Sequence, residues 1–184
     1  GGGFGAKLSV DCEFLPVLGS ILTGKPIKWS ESRSGWIQAG FAARDYHATS
    51  KAAFTKNGKL LALETDIVAD MGCDGAERAC GLGMPLNGGN YATGPYECDN
   101  YRTRVRCVVT NKAPYNAYRG YGKDLANMLI ERVIDQAAEK LEIDPLQIRK
   151  MNLLKSYPHQ IPTGPIIENG TQRESLERLE EMMD

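Results

Sequence analysis

The sequence predicts an α+β domain in which a mixed, largely antiparallel sheet is covered by helices over residues 10–22 and 124–141, with two glycine loops near one edge, and three observations carry that prediction. Residues 46–54 and 59–70 are two β-like runs with Asn57-Gly58 between them, a strong short-range hairpin signal. Leu125, Ala126, Leu129, Ile130, Val133, Ile134, Ala137, Ala138 and Leu141 form an unbroken apolar stripe at i, i+4 spacing, which predicts a helix with one buried face. Two glycine-rich loops, residues 1–6 and 113–122, each run directly into a helical pattern.

The first loop, Gly1-Gly2-Gly3-Phe4-Gly5-Ala6, has four glycines in its first five residues. Glycine takes positive φ without penalty and has no Cβ to hold a partner away, so such a loop lets backbone N–H groups approach an anion or cofactor. A helix that follows points its positive end at the same place. Val10, Phe14, Val17, Leu18, Ile21 and Leu22 recur at helical spacing, and Gly24 with Pro26 closes the element. Pro16 either kinks this helix or marks its first turn, in which case the regular part starts near Phe14. Residues 26–32 read as a short strand with Glu31 near its end. Gly1, Gly3 and Ala6 match the spacing G-x-G-x-x-G/A, so a dinucleotide-binding unit using these residues and Glu31 stays open as a second reading. An antiparallel hairpin then follows where a dinucleotide-binding domain would place another helix.

In the second strand of that hairpin Leu61, Leu63, Thr65 and Ile67 fall on one face and Glu64 and Asp66 on the other, the pattern of a sheet covered on one side. Residues 72–95 hold seven glycines and two prolines with little periodicity and read as a long irregular connection of the kind that often carries function. Residues 101–109 form a further strand with Arg102, Arg104 and Arg106 on one face. That stripe could read phosphates, but a solvated face paired with Glu64 and Asp66 is the preferred account. Asp144-Pro145 supplies an N-cap and a first-turn proline for a short helix to about Asn152. Residues 155–172, with three prolines and two glycines, read as extended, and residues 174–183 as a charged, amphipathic terminal helix. Trp29 and Trp36 read as packing residues, and His47, with no partner at ligand spacing, as a surface or hydrogen-bonded histidine.

With 22 basic and 23 acidic residues in 184, the net charge is −1. Composition gives no electrostatic case for nucleic acid or an anionic membrane as the main partner, and no run has the length of a membrane span. Cys12, Cys73, Cys80, Cys98 and Cys107 contain no C-x-x-C pair and are joined by only two histidines, His47 and His159. They read as the scattered free thiols of a reduced compartment, and the cytoplasm is the expected address. A chain that opens inside a glycine loop without a methionine is expected to be a piece of something longer.

The run GGGFGAK before a helix, the hairpin KNGKLLALETDIVADMG, and TNKAPYNAYRGYGKDLANMLIERVIDQAAEKLEIDPLQIRKMNLL together resemble the molybdopterin-binding subunit of the xanthine dehydrogenase and aldehyde oxidase family, in the right order over nearly the whole chain. The resemblance implies a molybdenum cofactor-binding type of domain. It also implies a molybdenum hydroxylase that inserts oxygen from water into an electron-poor carbon of an aldehyde or heteroaromatic ring. Electrons then leave through iron–sulfur clusters and usually FAD, carried on partner domains or subunits.

Residue by residue, the family's first loop carries over to Gly2, Gly3, Phe4 and Gly5, whose backbone meets molybdopterin, and its F-R-G-F-G segment to Tyr118, Arg119, Gly120, Tyr121 and Gly122. Arg119 and Gly120 join the cofactor contacts, and Tyr121 is the aromatic that stacks on substrate. Xanthine dehydrogenases read GGGFGGKE, and Leu8 stands here in place of the glutamate that hydrogen-bonds a purine, which turns expectation towards an aldehyde or another ring. The family's general-base glutamate has no counterpart in this chain, so no catalytic residue and no metal ligand is expected in it, and the isolated piece is expected to be inactive. The expected organisation is one fragment of a molybdopterin-binding domain with three stretches: 1–110 with the first loop, helix and hairpin, 111–154 with the second loop and core helix, and 155–184 with the extended tail and terminal helix. Besides the dinucleotide reading, a subunit-interaction domain without a ligand remains open.

Overall fold

The computed structural model describes residues 3–5, 12–39, 44–73 and 81–183. Among them, β1 (Tyr46–Phe54), β2 (Leu60–Asp70) and β3 (Asn100–Val108) form a sheet in the order β1-β2-β3. β1 and β2 pair antiparallel, β2 and β3 parallel, so Ile67 lies between Ala48 and Val105. The sheet is mixed as predicted. A small antiparallel ribbon, β4 (His159–Gln160) with β5 (Ile166–Ile167), lies within the stretch expected to be extended.

The hairpin has the expected position but a different turn. Only Gly58 of the Asn57-Gly58 pair is left-handed, with φ +90°. Gly58 N donates to Thr55 O, and Thr55 N to Lys59 O, which is a type I turn followed by a left-handed glycine rather than the type I′ turn expected. The cause lies outside the hairpin: Asn152 donates through Nδ2 to Gly58 O and accepts through Oδ1 from Leu60 N, each at 2.8 Å, fixing the turn to the following helix layer. Near the turn Ala53 faces Ala62 while Phe54 faces Leu60. Leu61 is the bulged residue, so it is exposed, and Leu60 takes its place in the core. The expected inward face of Leu61, Leu63, Thr65 and Ile67 is thus corrected at its first member, because a bulge inverts the alternation.

α4 (Lys123–Leu141) covers the sheet with eight of the nine predicted stripe residues buried, Leu125 through Ala138. Each buried Leu, Ile or Val side chain contributes roughly 1.5–3 kcal/mol, which makes this face the main source of stability. α5 (Pro145–Asn152) begins as predicted, with Asp144 Oδ1 accepting from Leu146 N and Gln147 N, both at 2.9 Å.

Three expectations along the chain are corrected. First, the stretch 72–95 is not wholly irregular, since it contains α3 (Gly83–Asn90). A Cβ on Gly88 would stand 3.0 Å from Leu125 Cδ2, and one on Gly89 2.8 Å from Thr103 Oγ1 and Val105 Cγ2. The glycines that weaken helix propensity are what let this backbone lie against α4 and β3. Second, residues 26–32 form no strand; they lead into α2 (Arg33–Ala39), and no described strand pairs with them. Third, α1 (Phe14–Thr23), which starts where Pro16 requires and ends at left-handed Gly24, buries none of its residues. The helical cover of the sheet is α4, with α3 against β3, rather than α1. Trp29 and Trp36, expected as packing, are 44% and 38% exposed, since the segment that carries them has no described core to enter.

On the outer sheet face Arg106 and Arg104 meet Asp66 at 2.7 and 3.6 Å, which lowers the Asp66 carboxyl below its usual range through the Arg106 hydrogen bond. This is the solvated, paired face preferred from sequence. α6 (Gln172–Met183) also buries none of its residues; it is tied down by Lys150 to Glu180 and by Arg173 Nη2, which donates to Leu153 O at 3.2 Å.

Candidate functional site

The two glycine loops come together beyond the ends of β2 and β3, at the mouth where the parallel pair finishes. The ends are sewn by backbone bonds: Met71 N to Val108 O at 2.8 Å, Thr110 N to Gly72 O at 3.1 Å, and Tyr115 N to Met71 O at 3.0 Å. Asp70 accepts from Thr110 Oγ1 at 2.6 Å and from Gly72 N at 3.0 Å, and meets Lys112 Nζ at 2.9 Å. These bonds hold the Asp70 carboxyl down to about 2, the Thr110 hydroxyl being the largest cause. Its contribution is therefore complete at neutral pH and is lost as pH falls from the ordinary carboxylate range towards that value. Gly72 must be glycine here, since at φ +66° a Cβ would stand 2.7 Å from Ala113 C.

From this base residues 113–122 fold over a small second core of Ala69, Met71, Met84, Tyr115 and Ala117, with Tyr46 and Tyr121 packed against it. The Tyr115 hydroxyl donates to Tyr46, their rings meet edge to face at 5.8 Å, and burial raises both phenols. Asn116, 3% exposed, caps the turn by accepting from Ala117 N at 2.7 Å. The loop then passes through Gly120 (φ +108°), Tyr121 (φ +48°) and Gly122 (φ +88°) into α4. Three successive left-handed residues turn the chain sharply into the N-terminus of α4, which puts helix-end and loop backbone N–H groups next to one another.

The first loop docks on the second. At Gly5 (φ +92°) a Cβ would stand 3.2 Å from Ala117 O and 3.3 Å from Ala117 Cβ. The Phe4 and Tyr118 rings lie 6.3 Å apart, both about half exposed, and form an aromatic shelf beside this junction. The Arg44 guanidinium carbon also sits over the Tyr118 ring, 5.2 Å from its centroid. Its Nε donates to Asp124 Oδ2 at 2.5 Å and its Nη2 to the Arg119 carbonyl. Arg44 carries no sequence signal, being 80 positions from Asp124; the only local hint was an acidic residue in the first turn of a helix behind a glycine loop.

The profile of the molybdopterin cofactor-binding domain matches residues 1–153. The chain belongs to that family. The carbon monoxide dehydrogenase large chain of Hydrogenophaga pseudoflava is 34% identical over 191 aligned residues, covering 100% of this chain and 23% of that one. The nicotine 6-hydroxylase large subunit of Paenarthrobacter nicotinovorans is 30% identical, with 100% and 23% covered. The quinoline 2-oxidoreductase of Pseudomonas putida 86 superposes with a TM-score of 0.88 at 31% identity, covering 100% of this chain and 24% of that structure. The chain therefore spans about a quarter of the length of these relatives.

Within the family's site, Gly2 and Leu8 lie outside the described residues, as do Gly1 and Ala6 of the dinucleotide spacing. Phe4 and Gly5 are brought against the second loop, Gly3 stands just outside that contact, and Arg119 and Gly120 lie in the turn of the second loop. Tyr121 is half-buried; its hydroxyl lies where a Cβ on Gly83 would stand, so the glycine at the start of α3 makes room for the ring. The residues present fit a flat, anionic cofactor on one side. Among the described residues nothing lies within 4 Å of where a Cβ on Gly3 would be, which leaves its backbone open to close approach from their side, and the Phe4–Tyr118 shelf offers an apolar surface. The Arg44 guanidinium, paired with Asp124, lies beside the Tyr118 end of this shelf. Glu31, the acidic residue of the dinucleotide reading, lies outside any described strand. No described helix is long and apolar enough to cross a membrane.

Proposed function

We propose that this chain supplies one wall of the cofactor site of a molybdenum-dependent oxidoreductase that hydroxylates an aldehyde or heteroaromatic substrate, with water as the source of oxygen. The observation that carries the reading is the docking of Gly5 on Ala117, which joins two glycine loops 112 positions apart into one surface, with φ > 0 glycines on both sides. Two independent glycine turns have no reason to meet; a cradle for one ligand does.

When bound, molybdopterin supplies the redox chemistry and the oxygen transfer. The residues of this chain bind, orient and exclude water. The open backbone at Gly3 and the loop backbone at Arg119 and Gly120 lie against the cofactor. Phe4 and Tyr118 shield its face. Tyr121, at the turn into α4, faces the substrate. The rings named in two relatives, nicotine and quinoline, and Leu8 in place of a purine-binding glutamate support a ring or aldehyde over xanthine. Free thiols at Cys12, Cys73, Cys98 and Cys107 accord with a cytoplasmic enzyme. The family's iron–sulfur and flavin domains or subunits are the partners that take the electrons, and the 1–110, 111–154 and 155–184 stretches are parts of a single cofactor-binding domain.

Elemental analysis of the purified parent protein tests the reading. Molybdenum together with iron is expected, and tight dinucleotide binding without either metal would replace it with the nucleotide alternative. Assays on quinoline- and pyridine-type rings, an aliphatic aldehyde, carbon monoxide and xanthine then rank the substrates, with xanthine expected to be poor. Tyr121→Leu in the parent is expected to lower kcat/KM for a ring substrate about two- to tenfold, the size of an aromatic pair, with molybdenum content unchanged. An aliphatic aldehyde should lose less. Equal losses for every substrate with a lowered Tm would make Tyr121 a packing residue.

A further inference from the structure

We infer that Arg44 and Asp124 form a positioning bracket for the second glycine loop, so that presentation of residues 118–122 to the cofactor depends on a side chain outside both loops. The inference rests on the cofactor reading above and goes beyond it by naming residues that no motif marks.

Three contacts from one guanidinium carry the argument. Arg44 Nε donates to Asp124 Oδ2 at 2.5 Å, Nη2 donates to the carbonyl of Arg119, and the guanidinium carbon Cζ lies 5.2 Å from the centre of the Tyr118 ring. Asp124 completes the loop closure from inside, its Oδ1 accepting from Gly122 N at 3.2 Å. A Cβ on Gly120 would stand 2.9 Å from Asp124 Oδ1 and 3.4 Å from Arg44 Nη2, so the loop backbone is drawn against the pair. The ion pair therefore touches Tyr118, Arg119, Gly120 and Gly122, four of the five residues in the turn. Backbone bonds from Tyr121 N to Tyr118 O at 3.1 Å and from Lys123 N to Gly120 O at 3.0 Å cross this run of three left-handed residues, and the ion pair adds side-chain contacts to it. Planar, forked Arg can hold a carboxylate and a carbonyl at once; Lys, a point charge, cannot. Arg44 is itself held at φ +68°, a conformation that persists only where surrounding contacts over-determine it. Its side chain and that of Asp124 are 34% and 32% exposed, so solvent screens the pair and the effect is on the loop rather than on global stability.

The test uses the parent enzyme with Arg44→Met, Arg44→Lys and Asp124→Asn, and two readouts: hydrogen exchange at the amides of residues 119–123, and molybdenum per protein chain. Arg44→Met is expected to speed exchange of these amides about three- to tenfold, the scale of one or two screened charge-assisted hydrogen bonds, and to lower molybdenum content, with Tm nearly unchanged. Arg44→Lys is expected to rescue only partly, and the Arg44→Met/Asp124→Asn double variant to lose no more than the worse single one, because the two act as a unit. Unchanged exchange in both Arg44 variants would remove the bracket. Faster exchange with full molybdenum content would keep the loop contact but overturn its role for the cofactor. A wild-type parent without molybdenum would overturn the functional reading itself, which the exchange data would distinguish from failure of the bracket. If Arg44→Met does not fold, Arg44→Lys carries both readouts.

Discussion

At Gly122, in the second loop, a Cβ would stand 2.8 Å from Gly88 N and closer still to the Met84 carbonyl oxygen, whereas at Gly3, in the first loop, no atom of the described residues lies within 4 Å of the same position. Similar composition thus answers two different needs. The second loop's glycines are demanded by the chain itself: α3 passes so close beneath the turn into α4 that no side chain fits, and α4 behind it is buried along its length. Among the described residues of the first loop, Gly5 and Phe4 meet the second loop, and the helix after it, α1, buries none of its residues. A glycine that the fold does not require is one whose reason must lie outside the fold, and this makes Gly3 a better marker of the ligand than Gly122.

The largest effect that would break this contrast is expected at Gly122. Alanine there meets backbone atoms of α3 that cannot rotate away, and holds an L-residue at φ +88°. Left-handed strain of about 1–3 kcal/mol adds to an overpacking cost of similar size, so Gly122→Ala should lower unfolding stability by on the order of 3 kcal/mol. Urea denaturation measures it. A loss below about 1 kcal/mol would mean that α3 and the loop yield easily, and the second loop would then be no more fixed than the first.

Gly5→Ala is intermediate. Its φ of +92° strains any other residue, but the space is less tight, with Ala117 O at 3.2 Å from the added carbon. About 1–2 kcal/mol is expected, on the strain scale alone, expressed mainly as separation of the loops. Faster exchange at the Ala117 amide in this variant, with the amides inside α4 unaffected, is the expected signature. Loss of protection throughout α4 would show that the first loop is part of the core.

What was legible in the sequence divides along the same line. Periodicity revealed α4 and the two hairpin strands to within a residue, because there a buried face writes its period into the chain. It misplaced Leu61 since a bulge is a tertiary choice, and it missed α3 since Gly88 and Gly89 serve the neighbours Leu125 and Thr103 rather than their own helix. α1 was read correctly as a helix yet wrongly as cover for the sheet, because amphipathicity tells that a face seeks burial but not where. In the site, glycine runs marked both loops, and the resemblance assigned their contacts. The partners that fix them, Arg44, Asp124 and the Tyr46–Tyr115 pair, are joined across 69 to 80 positions and leave no local pattern.

The smallest expected change in stability is the one that sharpens the comparison most. Gly3→Ala adds a methyl group at a position with no atom of the described residues within 4 Å. Stability should stay within about 0.5 kcal/mol of the starting protein, the range of an ordinary surface substitution. In the parent enzyme, however, the added carbon stands where the cofactor would approach the backbone, so molybdenum content should fall while the melting temperature of the cofactor-free protein does not. Measuring both on one variant separates the two causes for a glycine. A drop in stability without cofactor would place Gly3 with Gly122 as a packing glycine. Full molybdenum content with unchanged stability would leave the first loop without a cofactor role at this residue, and the shelf of Phe4 and Tyr118 would then have to account for the first loop's share of the site.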